Sequence, residues 1–275
     1  PAAKALALAL ALALALCAAT IQAAPDPDLQ IYVDFESYEP FWDHRTWLFH
    51  DQSPNGFDVD LANVGWDLEL APGRVGQALE CSWQAAGPVL TDGEPVYERG
   101  EGLTIAVWAR LTGAGTVRPI HVGVPHRDIV AARIVRSAPV PEPYLHLGWS
   151  ALQNDAETPA FASSLQVAVT DEWFHYAAVY DPAAALALIY LDGEEVSRVA
   201  VDGEPAFDWG VRPPASDISV FAMSHGDGLV YVDELRMYSR ALGQAEVRDL
   251  MRPEALPVAS PAPALTTTWG ALRQP

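Results

Sequence analysis

Apolar and polar positions alternate along most of the chain. "LQIYVDF" (29–35) opens as a strand, and "LTIAVWARL" (103–111) is apolar and rich in β-branched residues. "WFHYAAVYD" (173–181) alternates aromatic and small residues. "LALIYLDGEEVSRVAV" (186–201) is two such runs around Asp192-Gly193. Asp-Gly between alternating runs predicts a hairpin, because a type I′ turn needs φ > 0 at both central positions. "DISVFAM" (217–223) and "LVYVDELRMY" (229–238) read as further strands. Convincing helical spacing occurs near the end, in "GQAEVRDLM" (243–251). Gly243 serves there as N-cap, and Glu246 supplies the carboxylate half of a capping box. About a dozen short strands and one terminal helix predict a two-sheet antiparallel sandwich or jelly roll.

The two ends have a different character. "ALALALALALAL" (5–16) follows Lys4, and "CAATIQAAPDPD" comes after it. A basic start, a short apolar core and small residues predict a signal peptide over residues 1–24, cleaved after Ala23 or Ala24. The apolar run is short for a membrane span, so none is expected after its removal. Leu16 stands before Cys17 where a lipoprotein would carry a small residue. The expected location is extracellular or periplasmic. Residues 25–252 then form one large domain. Residues 253–275, rich in Pro, Ala and Thr and without periodicity, read as a disordered tail, in which Trp269 is out of character.

Charge narrows the partners. Sixteen Lys and Arg against 36 Asp and Glu give a net charge of −20. Such a chain disfavours nucleic acid and anionic membrane, and leaves carboxylates available for hard cations. Cys17 leaves with the signal, so Cys81, in the alternating run "QALECSW", has no internal disulfide partner and reads as a buried thiol.

"VYVDELRMYSRAL" (230–242) holds an adjacent acidic pair. Regular strand alternation puts Asp233 on a face with Tyr231, Leu235 and Met237, and Glu234 on the other with Val232, Arg236 and Tyr238. That geometry opposes an acid/base dyad, and leaves Glu234 to pair with Arg236 or Arg240. "DVDLA" (58–62) and "YVDEL" (231–235) lack the E-x-D-x-x-E spacing that lays two carboxylates on one face for retaining glycoside hydrolysis. None of the seven histidines forms a zinc-protease pair on a helix. No catalytic residue is assigned.

Blocks in a fixed order carry a resemblance. They are "VDFES", "DQSPNGFDVDL" (51–61), "PGRVGQALEC" (72–81), "LTIAVWARL", "EWFHYAAVYD", "LIYLDGEEV" and "VYVDELRMYSRALGQAEVRDLM". Over residues 29–251 the chain resembles the laminin G-like, concanavalin A-like jelly-roll family, in its bacterial, pentraxin-related branch. It departs from the pattern at Pro54-Asn55 in the turn, in the aromatic stretch "YEPFWDHRTWLFH" (38–50), and at Gly243 where Ser is common. The resemblance implies a structural Ca²⁺ held by Glu36, Asp51, the carbonyl of Asn55, and Asp233. The alternative is that Asp233 accepts hydrogen bonds from loop amides without a metal.

Aromatic rings outside the family's core strands suit stacking on a pyranose. Trp42, Trp47, Trp83 and Trp209 lie in loops or at strand ends and are the ligand candidates. Loop-anchoring hydrophobes are their other reading. The expected function is a secreted, noncatalytic recognition or adhesion module for extracellular glycan or cell-surface protein. The alternatives are a glycan lyase or hydrolase on the same fold, or a matrix protein without a small ligand. Oligomeric state is not set by the sequence.

Overall fold

The long apolar runs become strands covered on both faces, and the alternating ones become strands covered on one. The computed structural model describes residues 26–40, 47–56, 58–60, 68–81, 89–90, 102–124, 127–136, 144–152, 159–168, 171–202, 217–224 and 229–252. These fall within one compact unit. The expected signal peptide and the tail lie outside the described residues.

In chain order the strands are β1 (Leu29–Val33), β2 (Tyr38–Pro40), β3 (Trp47–Phe49), β4 (Val59–Asp60), β5 (Leu68–Pro72), β6 (Gln77–Cys81), β7 (Val89–Leu90), β8 (Leu103–Leu111) and β9 (Gly115–Val124). There follow β10 (Arg127–Arg136), β11 (Tyr144–Leu152), β12 (Pro159–Ala168), β13 (Phe174–Asp181), β14 (Leu186–Leu191), β15 (Glu194–Ala200), β16 (Asp217–Ser224), β17 (Val230–Tyr238) and the helix α1 (Gln244–Asp249). One sheet runs β15-β14-β13-β8-β17-β6-β5, with β1 also paired to β17; the other runs β12-β11-β10-β9-β16-β7-β4-β3-β2. All the pairings are antiparallel. The expected two-sheet sandwich with one short terminal helix is what forms.

The core lies between the sheets. Ile105, Val107, Tyr176, Ala178, Val230 and Val232 from the first sheet meet Ile134, Leu145, Leu147, Trp149 and Phe161 from the second. Each such large side chain contributes about 1.5–3 kcal/mol on burial. Two hydrogen bonds tie the layers reciprocally. The Tyr176 hydroxyl donates to the Gly148 carbonyl at 2.7 Å, and the Trp149 indole donates to the Val179 carbonyl at 3.2 Å.

β8, β13 and β17 are buried nearly throughout because α1 and its flanks cover part of the first sheet's outer face. Val247 of α1 and Leu242 before it are buried. The Leu242 amide donates to Thr104 Oγ1 at 2.9 Å, and Thr104 Oγ1 donates to the Arg240 carbonyl at 2.8 Å. The helix starts as expected, with the Gly243 amide donating to Glu246 Oε2 at 2.8 Å. The Asp192-Gly193 turn also forms, with φ of 49° and 74°. Asp192 Oδ1 accepts from the His175 amide at 2.8 Å, so the hairpin is stitched to β13. The meander β9–β12 makes up much of the second sheet and lies in a part of the chain that the sequence analysis leaves unassigned.

Candidate functional site

The acidic pair sits where β17 changes partner. Residues 230–232 pair with β6, and residues 235–238 pair with β1. On the other side, Asp233 opposes Trp108 and Arg236 opposes Ala106, so β17 carries one extra residue, a β-bulge. Glu234 takes up the bulge with φ 55°. Regular alternation therefore fails here. Val230 and Val232 face the core before the bulge, and Leu235 and Met237 face it afterwards. This corrects the face assignment expected for Asp233. It shares no face with Leu235 and Met237, because the extra residue shifts the parity.

Both acidic side chains are buried. Asp233 Oδ2 accepts from the Arg74 amide at 2.8 Å and the Val75 amide at 2.9 Å. Its Oδ1 is buried without a hydrogen bond. Burial, with the neighbouring Glu234 charge adding to it, pushes Asp233 up to about 8. Glu234 accepts from the Tyr32 hydroxyl at 3.1 and 3.2 Å and from Arg236, whose guanidinium lies 4.5 Å from the Tyr32 ring centroid. Burial also raises Glu234, while the Arg236 charge works against it. Arg236 Nη1 donates to the Leu250 carbonyl at 3.4 Å, at the C-terminal end of α1. The expected Glu234–Arg236 pair is thus present, and both members of the acidic pair are closed off from solvent.

The loop between β5 and β6, "PGRVGQ", is gripped from two sides. Asp233 holds its amides at 74 and 75, and Glu36 accepts from the Gln77 amide. These contacts explain two glycines. A Cβ on Gly73 would stand 2.6 Å from Asp233 Oδ2, and one on Gly76 would stand 1.9 Å from Glu36 Oε1, at φ +52°.

The other two expected calcium ligands serve a separate turn. Asp51 Oδ1 accepts from the Tyr32 amide at 2.7 Å and the Ser53 amide at 2.8 Å. Asn55 Nδ2 donates to the Gln30 carbonyl at 3.3 Å. Both side chains bind the 51–56 turn to β1. Among the described residues, no three His, Cys, Asp or Glu side chains gather into a metal-sized group. Glu36 and Asp233 meet at one loop, whereas Asp51 and Asn55 serve another. As placed, Glu36, Asp51 and Asp233 do not fit a common calcium ion.

Of the aromatic candidates, Trp42, Trp83 and Trp209 lie outside the described residues. Trp47 is half-buried at the edge of the core, edge-on to Tyr38 with centroids 4.9 Å apart. It packs as an anchor. Sequence reasoning missed a set of stacked arginines on the outer face of the first sheet. The Arg74 guanidinium lies 4.8 Å from the Trp108 ring centroid. That of Arg110 lies 4.0 Å from Tyr231 and 5.4 Å from Trp173. The i, i+2 spacing of Trp108 and Arg110 in β8 shows their shared face. Tyr231 lies in a strand more than 100 residues away, and no local pattern announces it. His175 is buried edge-on to Trp108, with centroids 5.3 Å apart and neither ring nitrogen hydrogen-bonded. Burial, helped by the Arg236 charge, lowers it to about 3, so it is neutral packing.

Comparison with known proteins agrees with this architecture. The chain is similar to the binding domain of Paraclostridial Mosquitocidal Protein 1, with a TM-score of 0.56 and 13% identity, over 82% of this chain and 52% of that one. It is also similar to the binding domain of botulinum neurotoxin DC in complex with rat synaptotagmin II (TM-score 0.55, 12% identity, 83% and 52% coverage). A third similar structure is the ligand-binding domain of botulinum neurotoxin serotype D in complex with N-acetylneuraminic acid (TM-score 0.55, 10% identity, 84% and 52% coverage). The chain thus spans about half the length of these neighbours, and at such identity the likeness concerns the fold. No curated protein sequence matches. Residues 86–248, more than half of the chain, match the family model for laminin G-type domains. The chain belongs to the concanavalin A-like lectin/glucanases superfamily, in its laminin G-type family.

Proposed function

We propose that this chain is a noncatalytic recognition module for an extracellular glycan or a cell-surface protein. The observation that carries the reading is the commitment of its acidic pair. Asp233 holds loop amides and Glu234 holds a buried arginine, so the chemistry-bearing pair serves the scaffold. Hydrolysis on this type of fold needs one carboxylate free to donate a proton and a second placed to attack or activate water. The neighbours support the same reading, since they are binding domains, one in complex with a protein and one with a sugar acid. The apolar run after Lys4 supports export, which places the ligand outside the cytoplasm.

A glycan array probed with the full chain, with each positive glycan then incubated and analysed for cleavage, tests the proposal. Retention of one glycan class without new reducing ends or unsaturated products is the expected result. Release of product would make the chain an enzyme. Absence of any glycan signal, with capture of a cell-surface protein, would select the protein-binding half of the reading.

A further inference from the structure

The outer face of the helix-bearing sheet differs from end to end. Beside α1 its side chains are fully buried. Further along β8 and β17, Arg74 is exposed and Arg110 and Trp173 are half-buried. Strand register puts Glu80, Tyr231 and Arg110 in one row across β6, β17 and β8. Trp173 stands beside Arg110, its ring edge-on to Tyr231 with centroids 6.2 Å apart. Trp108, two residues before Arg110 on the same strand, carries Arg74 on its ring.

Neither Arg74 nor Arg110 forms a salt bridge with a described residue. Other arginines of this acid-rich chain do: Arg136, Arg198, Arg236, Arg240, Arg248 and Arg252 each meet a carboxylate. Glu80 forms no salt bridge with Arg110; both hydrogen-bond the Tyr231 hydroxyl. The Nε of Arg110 is buried without a hydrogen bond. A guanidinium held against a ring is fixed in place, so less freedom is lost when it takes a partner. Its planar fork matches a carboxylate.

Resting on the glycan reading above, we propose that Arg74 and Arg110 form a receptor for the carboxylate of an acidic saccharide, a uronic or nonulosonic acid residue. Arg110 takes the carboxylate, with Arg74 adding charge from the neighbouring row. Trp173 offers an apolar surface to the sugar ring, and the half-buried Glu80 carboxylate accepts from a sugar hydroxyl. The net charge of −20 repels a polyanion, so the ligand carries isolated carboxylates rather than a dense run of sulfates.

Calorimetry with the full chain and two matched pairs tests this: 3′-sialyllactose against lactose, and methyl glucuronide against methyl glucoside. At least one acidic member should bind about tenfold or more tightly than its neutral partner, and that preference should fall with added salt. Arg110→Gln should remove the preference and Arg74→Gln should reduce it several-fold, both with melting temperatures near wild type. The exposed Arg74 variant keeps the test valid if Arg110→Gln does not fold. Equal binding of acidic and neutral members, or a preference that survives both substitutions, overturns the site and leaves the glycan reading intact. Failure of all four sugars overturns the site; failure on the glycan array as well overturns glycan binding itself.

Discussion

Among the described residues, two arginines lie within 4.5 Å of a tyrosine ring centroid, and in both cases a glutamate meets the tyrosine hydroxyl. Arg236 lies 4.5 Å from the ring centroid of Tyr32, whose hydroxyl donates to Glu234. Arg110 lies 4.0 Å from that of Tyr231, whose hydroxyl is bonded to Glu80 and to Arg110 itself. The difference is closure. Arg236 and Glu234 also join each other, are 2% and 3% exposed, and reach the end of α1. Arg110 and Glu80 do not join and remain half-buried. The same three residue types thus make a strut where a helix covers them and an open polar surface where it does not. The buried set has exchanged water for internal partners, and losing one member strands a charge. The open set keeps unspent donors, which are cheap to leave in water and available to a ligand.

The contrast is broken most directly at the closed end. Glu234→Ala or Arg236→Ala should each lower stability by about 3–5 kcal/mol in urea unfolding, because each leaves an uncompensated buried charge. A loss below about 1 kcal/mol from either would remove the strut.

The next effect concerns pH. Burial pushes the Asp233 carboxyl up to about 8 in the folded chain, from about 3.9 in the unfolded chain. Between those values the unfolded chain gives up a proton that the folded chain keeps, so stability falls as pH rises through that window. Asp233→Asn should flatten this limb, shrinking the drop in Tm between pH 5 and pH 8 by about 5 °C in calorimetric scans. The acid limb should survive in the variant. Burial holds His175 neutral down to about 3, from about 6.5 in the unfolded chain, so its contribution is present above about 6.5 and is lost as pH falls through about 3.

Gly76→Ala should cost about 1–2 kcal/mol, from the left-handed backbone and the clash with Glu36. Adding Glu36→Ala should recover the clash but not the backbone strain, which a double-mutant cycle separates. At the open end, Arg110→Gln should change stability by no more than about 1 kcal/mol, the scale of one partly exposed cation–π contact. Smallest of all, calcium or a chelator should shift Tm by less than about 1 °C, since the three carboxylates serve two separate loops. A rise of several degrees with calcium would restore a shared metal site.

Strand alternation, the Asp192-Gly193 turn and the Glu246 capping box were readable because each depends on neighbours in the chain. So was the pairing of Glu234 with Arg236, two residues apart. The bulge was not readable. It arises because β17 passes from β6 to β1 along one edge, a condition set by strands some 150 to 200 residues away in sequence. The grip of Asp233 and Glu36 on the 73–77 loop is equally non-local, although Gly73 and Gly76 mark where something must come close. The arginine stacks join β5–β6, β8, β13 and β17, and no periodicity within one segment reports such a row.

Indole ¹⁵N–¹H spectra of the full chain, titrated with 3′-sialyllactose and separately with methyl glucuronide, test the central claim most directly when ¹H spectra of the sugars are taken alongside, so that contact and turnover are read together. The Trp173 and Trp108 signals should move in a saturable way. That of Trp149, whose N–H is tied inside the core to Val179, should stay still. The sugar signals should remain those of the intact trisaccharide. Stationary Trp173 and Trp108 signals with both sugars, or the appearance of free lactose or free glucuronic acid, would contradict the account.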